Sequence, residues 1–116
     1  MYHSLTILNL KELYSIIITT RINLRESVMS LAQMDAYLEE ELYDDLTYSI
    51  QNPSGSDFES KKKRIEEIGR ELYADGGTDA MENMFYSIEF RINEEIGKDA
   101  KPYRSWWKNI SPEWNY

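Results

Sequence analysis

Six carboxylates fall within eleven residues: Asp35, Glu39, Glu40, Glu41, Asp44 and Asp45. Carboxylates at this density can do two kinds of chemistry. Oxygens converging on one point hold a hard divalent cation such as Mg²⁺. The same oxygens spread over a face attract a cationic protein surface, or simply keep the face solvated. The wider charge pattern favours the spread arrangement. No Lys or Arg occurs between Arg25 and Lys61, and nine acids make that stretch −9; the other 12 acids and 13 bases give +1, for a net −8. A field segregated in this way repels nucleic acid and anionic lipid. The expected partner is therefore a basic protein, with a nucleic-acid-binding enzyme among the candidates and the acids standing in for phosphates. Neither direct nucleic-acid binding nor membrane binding is expected.

Other catalytic machinery is sparse. The single histidine, His3, stands near the start of the chain, and there is no cysteine. A Ser-His-Asp triad would have to use His3, and thiolate chemistry is excluded. The chain carries no HExxH, no P-loop and no G-x-G-x-x-G. Gly76-Gly77 could offer backbone N–H groups to a phosphate, but Asp75 and Asp79 would oppose an anion there. No catalytic residue, metal ligand or cofactor is assigned. Glu41-x-x-Asp44 puts two carboxylates on one helical face. It resembles one half of the paired carboxylate motifs of the all-α nucleoside-triphosphate pyrophosphatases (the MazG-like class), which implies a Mg²⁺-dependent nucleotide pyrophosphatase as an alternative. The companion E-x-x-E is missing: Glu67 and Glu71 are four apart, and Glu94 and Glu95 are adjacent.

A second constellation lies at the end of the chain. Residues 101–116 hold all three tryptophans, Trp106, Trp107 and Trp114, with Tyr103 and Arg104 beside them. Trp, Tyr and Arg are enriched in binding hot spots. The group could serve as an interface, or stack a nucleobase-like ligand as a small-ligand or nucleotide-sequestering site. It could also close the end of a small core. Neighbouring residues on a helix point about 100° apart, so Trp106 and Trp107 cannot both face inward.

These groups need elements to position them. Leu10, Leu13, Ile17, Leu24, Val28, Leu31, Met34, Leu38, Leu42 and Leu46 recur at spacings of three, four or seven, which predicts a helical segment over 9–51, either continuous or bent near Asn23 or Gln33. The β-branched run 16–20 raises the alternative of a short N-terminal β element within 4–22, a strand at 14–22 pairing with 4–8. Asn52-Pro53-Ser54-Gly55-Ser56 breaks the chain, giving a loop at 52–57 with Ser56 or Asp57 as helix cap. A helical hairpin follows over 57–97. Phe58, Ile65, Ile68 and Leu72 form its first apolar face, Gly76-Gly77 its joint, and Thr78 the cap of its second arm. Met81, Met84, Phe85, Ile88, Ile92 and Ile96 form the second face, and Gly97 ends it. Lys61-Lys62-Lys63-Arg64 is expected to face solvent, to pair with nearby glutamates, or to neutralise residues 39–45.

The sum is one all-α domain over 1–116, a small antiparallel helical bundle with an aromatic C-terminal tail. The first residues show no signal peptide and no apolar run long enough to span a bilayer, which together with the absence of cysteine points to a cytoplasmic protein. The expected function is non-enzymatic. An acidic protein of this kind would occlude a basic partner, as an inhibitor, an immunity protein or a bacteriophage or bacterial anti-defence protein, DNA mimics included. A homodimer is compatible with its length and its three tryptophans.

Overall fold

The computed structural model describes residues 24–116, with side chains from residue 33 onward. Helix α1 spans Leu24–Gln51 and helix α2 spans Phe58–Ile96, followed by a 3-10 helix over Lys101–Trp107; there is no strand among the described residues. The fold is all-α. α1 runs through Gln33 without a break, while the bend at Asn23 and the β element at 4–22 fall outside the described residues. The chain divides into two compact units, Met1–Tyr37 and Leu38–Tyr116. Of the first, the described part is the N-terminal portion of α1, where Asp35 and Tyr37 are exposed. The second unit is a small helical bundle and contains the core.

α2 changes direction at Gly77, whose φ of 72° and ψ of −163° are non-helical. An L side chain is strained in that region of the map, so glycine is the residue that can divide α2 into two limbs, 58–76 and 78–96. Gly97 caps the second limb in a left-handed conformation, its N–H bonded to the Asn93 carbonyl at 3.0 Å. Asp57 occupies the N-cap position of the first limb without a side-chain capping bond. Thr78 does not act as a free-standing cap. Its hydroxyl lies 2.6 Å from Ser111 Oγ and 3.2 Å from Glu113 Oε1, which ties the limb joint to the tail.

Ion pairs fix the directions of the rods. Within the second unit, Asp45 meets Lys61 and Glu41 meets Arg64, so residues 38–51 of α1 run antiparallel to the first limb. Glu40 meets Arg91 and Tyr43 meets Glu95, so the same residues run parallel to the second limb. The tail reaches the hairpin from its other flank: Trp107 bonds to Ile65, and Arg104 bonds to Glu82 and Glu89. The limbs thus lie between α1 and the tail. Leu42, Leu46, Ile65, Ile68, Met81, Phe85, Ile88, Ile92 and Trp107 are fully buried between them. Each comes from a stripe of helical period or from the tail, and burial of these apolar side chains is what holds the rods together.

Candidate functional site

Three cations organise the acidic face. Arg64 grips Glu41 with two bonds, Nε to Oε2 at 2.7 Å and Nη2 to Oε1 at 3.0 Å. Its Nη1 also donates to Glu71 at 2.8 Å and to Glu67 at 3.3 Å. The planar guanidinium fork suits this bidentate geometry. Arg91 donates to Glu40 at 2.8 Å and Glu39 at 3.4 Å, with Glu95 at 3.7 Å on its own helix. Its guanidinium also stacks over the Tyr43 ring at 4.1 Å, while the Tyr43 hydroxyl donates to Glu95 at 2.6 Å. Lys61 reaches Asp45 at 3.1 Å. Bonds to carboxylates raise the pKa of all three cations, Glu41 being the chief cause for Arg64, Glu40 for Arg91 and Asp45 for Lys61. The hydrogen bond to Glu95 likewise raises the Tyr43 phenol.

The Asp45–Lys61 pair is asymmetric. Asp45 is almost wholly buried, whereas a third of the Lys61 side chain is in solvent. Desolvation therefore falls on the carboxyl and raises its pKa, although Lys61 pulls it down. The same bond raises the ammonium of Lys61 because little desolvation opposes it. The two directions are consistent: the bond is favourable, and burial costs the carboxylate more than the bond returns.

Of the acids singled out in the sequence, Glu39, Glu40, Glu41 and Asp45 are held by cations from α2, Asp44 is exposed without an ion pair among the described residues, and Asp35 is exposed in the first unit. The basic run 61–64 does not face solvent as a block. Four consecutive helical residues spread round the whole circumference, so Lys61 and Arg64 turn to α1, Lys62 lies 5.2 Å over the Trp106 ring, and only Lys63 is exposed. No three acids or histidines among the described residues converge in a way that could hold a metal ion. Glu41 and Asp44 share a helix, but Glu41 is committed to Arg64.

The aromatic tail divides by residue. Trp107 and Trp114 are buried, with indole N–H groups donating to the Ile65 carbonyl at 2.8 Å and the Arg104 carbonyl at 2.7 Å. Both rings pack edge-on against Phe85, at 5.2 and 5.9 Å. Arg104 is buried too. It holds both oxygens of Glu82 at 2.6 and 2.7 Å and Glu89 at 3.2 Å, and its guanidinium lies 4.5 Å from the Trp114 ring. Tyr103 and Trp106 are half-buried, 4.9 Å apart, with Trp106 leaning on Phe58 at 5.7 Å. The aromatic faces of Trp107 and Trp114 are thus occupied by the protein itself.

Two features escaped the sequence reading. Gly69 is buried, and a Cβ there would come within 2.6 Å of the Trp107 indole; nothing local marks it, because the reason is a side chain 38 positions away. Tyr86 and Phe90 stand at 64% and 58% exposure on the outer face of the second limb. Their signal was available: both lie outside the core stripe of that limb while sharing a face with each other at i,i+4. No helix among the described residues is long and apolar enough to cross a membrane. Comparison with protein-family models, with curated proteins and with solved structures finds no match to this chain.

Proposed function

We propose that this chain is a non-enzymatic binding protein whose acidic face docks on and occludes a basic surface of another protein, in the manner of an inhibitor, immunity or anti-defence protein. One observation carries the reading. Seven carboxylates (Glu39, Glu40, Glu41, Asp45, Glu67, Glu71 and Glu95) are fastened around three cations, so the layer is held in place and still carries a formal −4. Internal pairing orders the acids without cancelling them. Ordered acids lose less side-chain entropy on docking than free ones, and their excess charge steers a cationic partner toward them. Fixed carboxylates along helices can stand in for phosphates, which makes a nucleic-acid-binding protein a natural target.

The test is capture of partners from bacterial lysate at low and high salt, comparing wild type with a variant carrying Glu40→Gln, Asp44→Asn, Glu94→Gln and Glu95→Gln. These acids are chosen because all four are exposed, whereas Glu41 is half-buried and Asp45 buried. The reading expects a basic protein retained by wild type, lost with salt, lost in the variant, and displaced by duplex DNA. Retention profiles that are the same for both proteins would sink it and leave the acids as a solvated face.

A further inference from the structure

The outer stripe of the second limb, Asp79, Asn83, Tyr86, Phe90 and Glu94, is exposed along its whole length and carries no Lys or Arg. Two aromatic rings one helical turn apart stand at its centre, more than half exposed. Carboxylates accompany them on the same helix: Asp79 and Glu94 lie on the stripe itself, and Glu82 and Glu89 stand about 40–60° round the helix from Tyr86. Farther round the helix, toward α1, comes the Arg91 cluster of three acids and one cation, in which Glu40 and Glu95 are largely exposed. On the tail side lie Glu82 and Glu89, which share Arg104. Arg91 and Arg104 are both stacked elsewhere, over Tyr43 and over Trp114, so neither covers Tyr86 or Phe90.

We infer that Tyr86 and Phe90 form the centre of the docking surface and receive arginine side chains of the basic partner, whose guanidinium groups stack on the rings while their N–H groups reach the surrounding carboxylates. This rests on the function proposed above and names the chemistry of the partner. An apolar centre within a polar rim is the usual anatomy of a protein interface. The sign of the rim selects the occupant. The Arg91 cluster has a net −2, the Arg104 cluster −1, and Asp79 with Glu94 add −2. A second copy of this chain would set those charges against their like, and an anionic lipid surface would meet the same repulsion. A cationic segment is complementary. Arginine fits better than lysine because its planar, weakly hydrated head can stack on a ring and bond to carboxylates at once.

The experiment uses two fluorescent probes, a nona-arginine and a nona-lysine peptide, titrated by anisotropy into the full chain at low and high salt. The proteins are wild type, Tyr86→Ala/Phe90→Ala, and the four-acid variant above, with circular dichroism confirming that all are folded. Wild type should bind the arginine peptide several-fold more tightly than the lysine peptide. The double aromatic variant should lose roughly tenfold in arginine affinity, the sum expected of two exposed cation–π contacts, and little for lysine. Equal affinity for both peptides, unchanged in the aromatic variant but reduced in the four-acid variant, would overturn the aromatic centre and leave the acidic docking reading standing. Absence of salt-sensitive binding of either peptide would remove both. Sedimentation showing a wild-type dimer that the aromatic substitutions convert to monomer would assign the stripe to a second copy and overturn the inference.

Discussion

Gly69 shows how a single atom can be decisive in this bundle. The Trp107 indole lies where a β-carbon would stand, with Ile110 also within 2.7 Å of it. Gly69→Ala must therefore push the tail outward and weaken the bond from Trp107 to Ile65. Overpacking of this kind costs about 1–3 kcal/mol. Urea denaturation should report that loss, and tryptophan emission should shift to the red, because all three tryptophans sit in the tail. Asp45 makes a prediction of the opposite kind. Its folded-state pKa lies above the ordinary 3.8, chiefly through burial. The folded chain therefore holds this proton more tightly than the unfolded chain, and the cost of the buried charge is fully present above the raised value and disappears as pH falls through it. Asp45→Asn removes that cost. Relative to wild type, the variant should gain stability at neutral pH and lose that advantage in acid, measured by urea midpoints at the two pH values. An advantage that grew in acid would contradict burial as the dominant influence on this carboxyl.

At the scale of elements, the limb joint and the tail latch carry different physics. Gly77 has nothing within 4 Å of a would-be β-carbon, so the cost of Gly77→Ala is purely that of the backbone at φ 72°. That strain is of order 1–3 kcal/mol. Replacing Gly77 with D-alanine by chemical ligation, which suits positive φ, should restore stability, whereas no change of handedness would rescue Gly69→Ala. The tail latch depends on Arg104, buried between Trp114 and two glutamates. Arg104→Ala removes a buried guanidinium that is bidentate to the half-exposed Glu82 and strips a ring of its cation, a loss of about 2 kcal/mol. Amides within 103–114 should lose hydrogen-exchange protection more than those of α1. Uniform loss across the bundle would mean the tail is not a separate latch.

Across the whole molecule, the balance of charge governs the response to salt. The acids on α1 repel one another along the helix, at i,i+4 spacings that cost about 0.2–0.5 kcal/mol each. Cations from α2 offset that repulsion across the helix interface. Arg91→Gln leaves Glu39, Glu40 and Glu95 facing each other without their common counter-charge. Added salt screens like charges, so the melting temperature of this variant should rise more with salt than that of wild type. Parallel salt responses would show that the Arg91 cluster contributes little to the balance.

Much of this arrangement was legible in the letters. The period of Leu38, Leu42 and Leu46, of Ile65, Ile68 and Leu72, and of Met81, Phe85, Ile88 and Ile92 marks the buried faces, and all ten are buried. The break after Gln51, the non-helical Gly77 and the stop at Gly97 follow from local conformational preference, which each residue carries with it. The net charge and its segregation are likewise properties of the sequence alone. Tertiary structure decided which cation holds which acid. Whether Glu41 meets Arg64, or Trp107 meets Gly69, depends on the angle and stagger between rods, and helical periodicity gives the face a residue occupies but not what lies opposite it. The same holds for Tyr86 and Phe90. Their shared face is written in their spacing, but that this face is left exposed is settled only when α1 and the tail pack on the other sides of the hairpin.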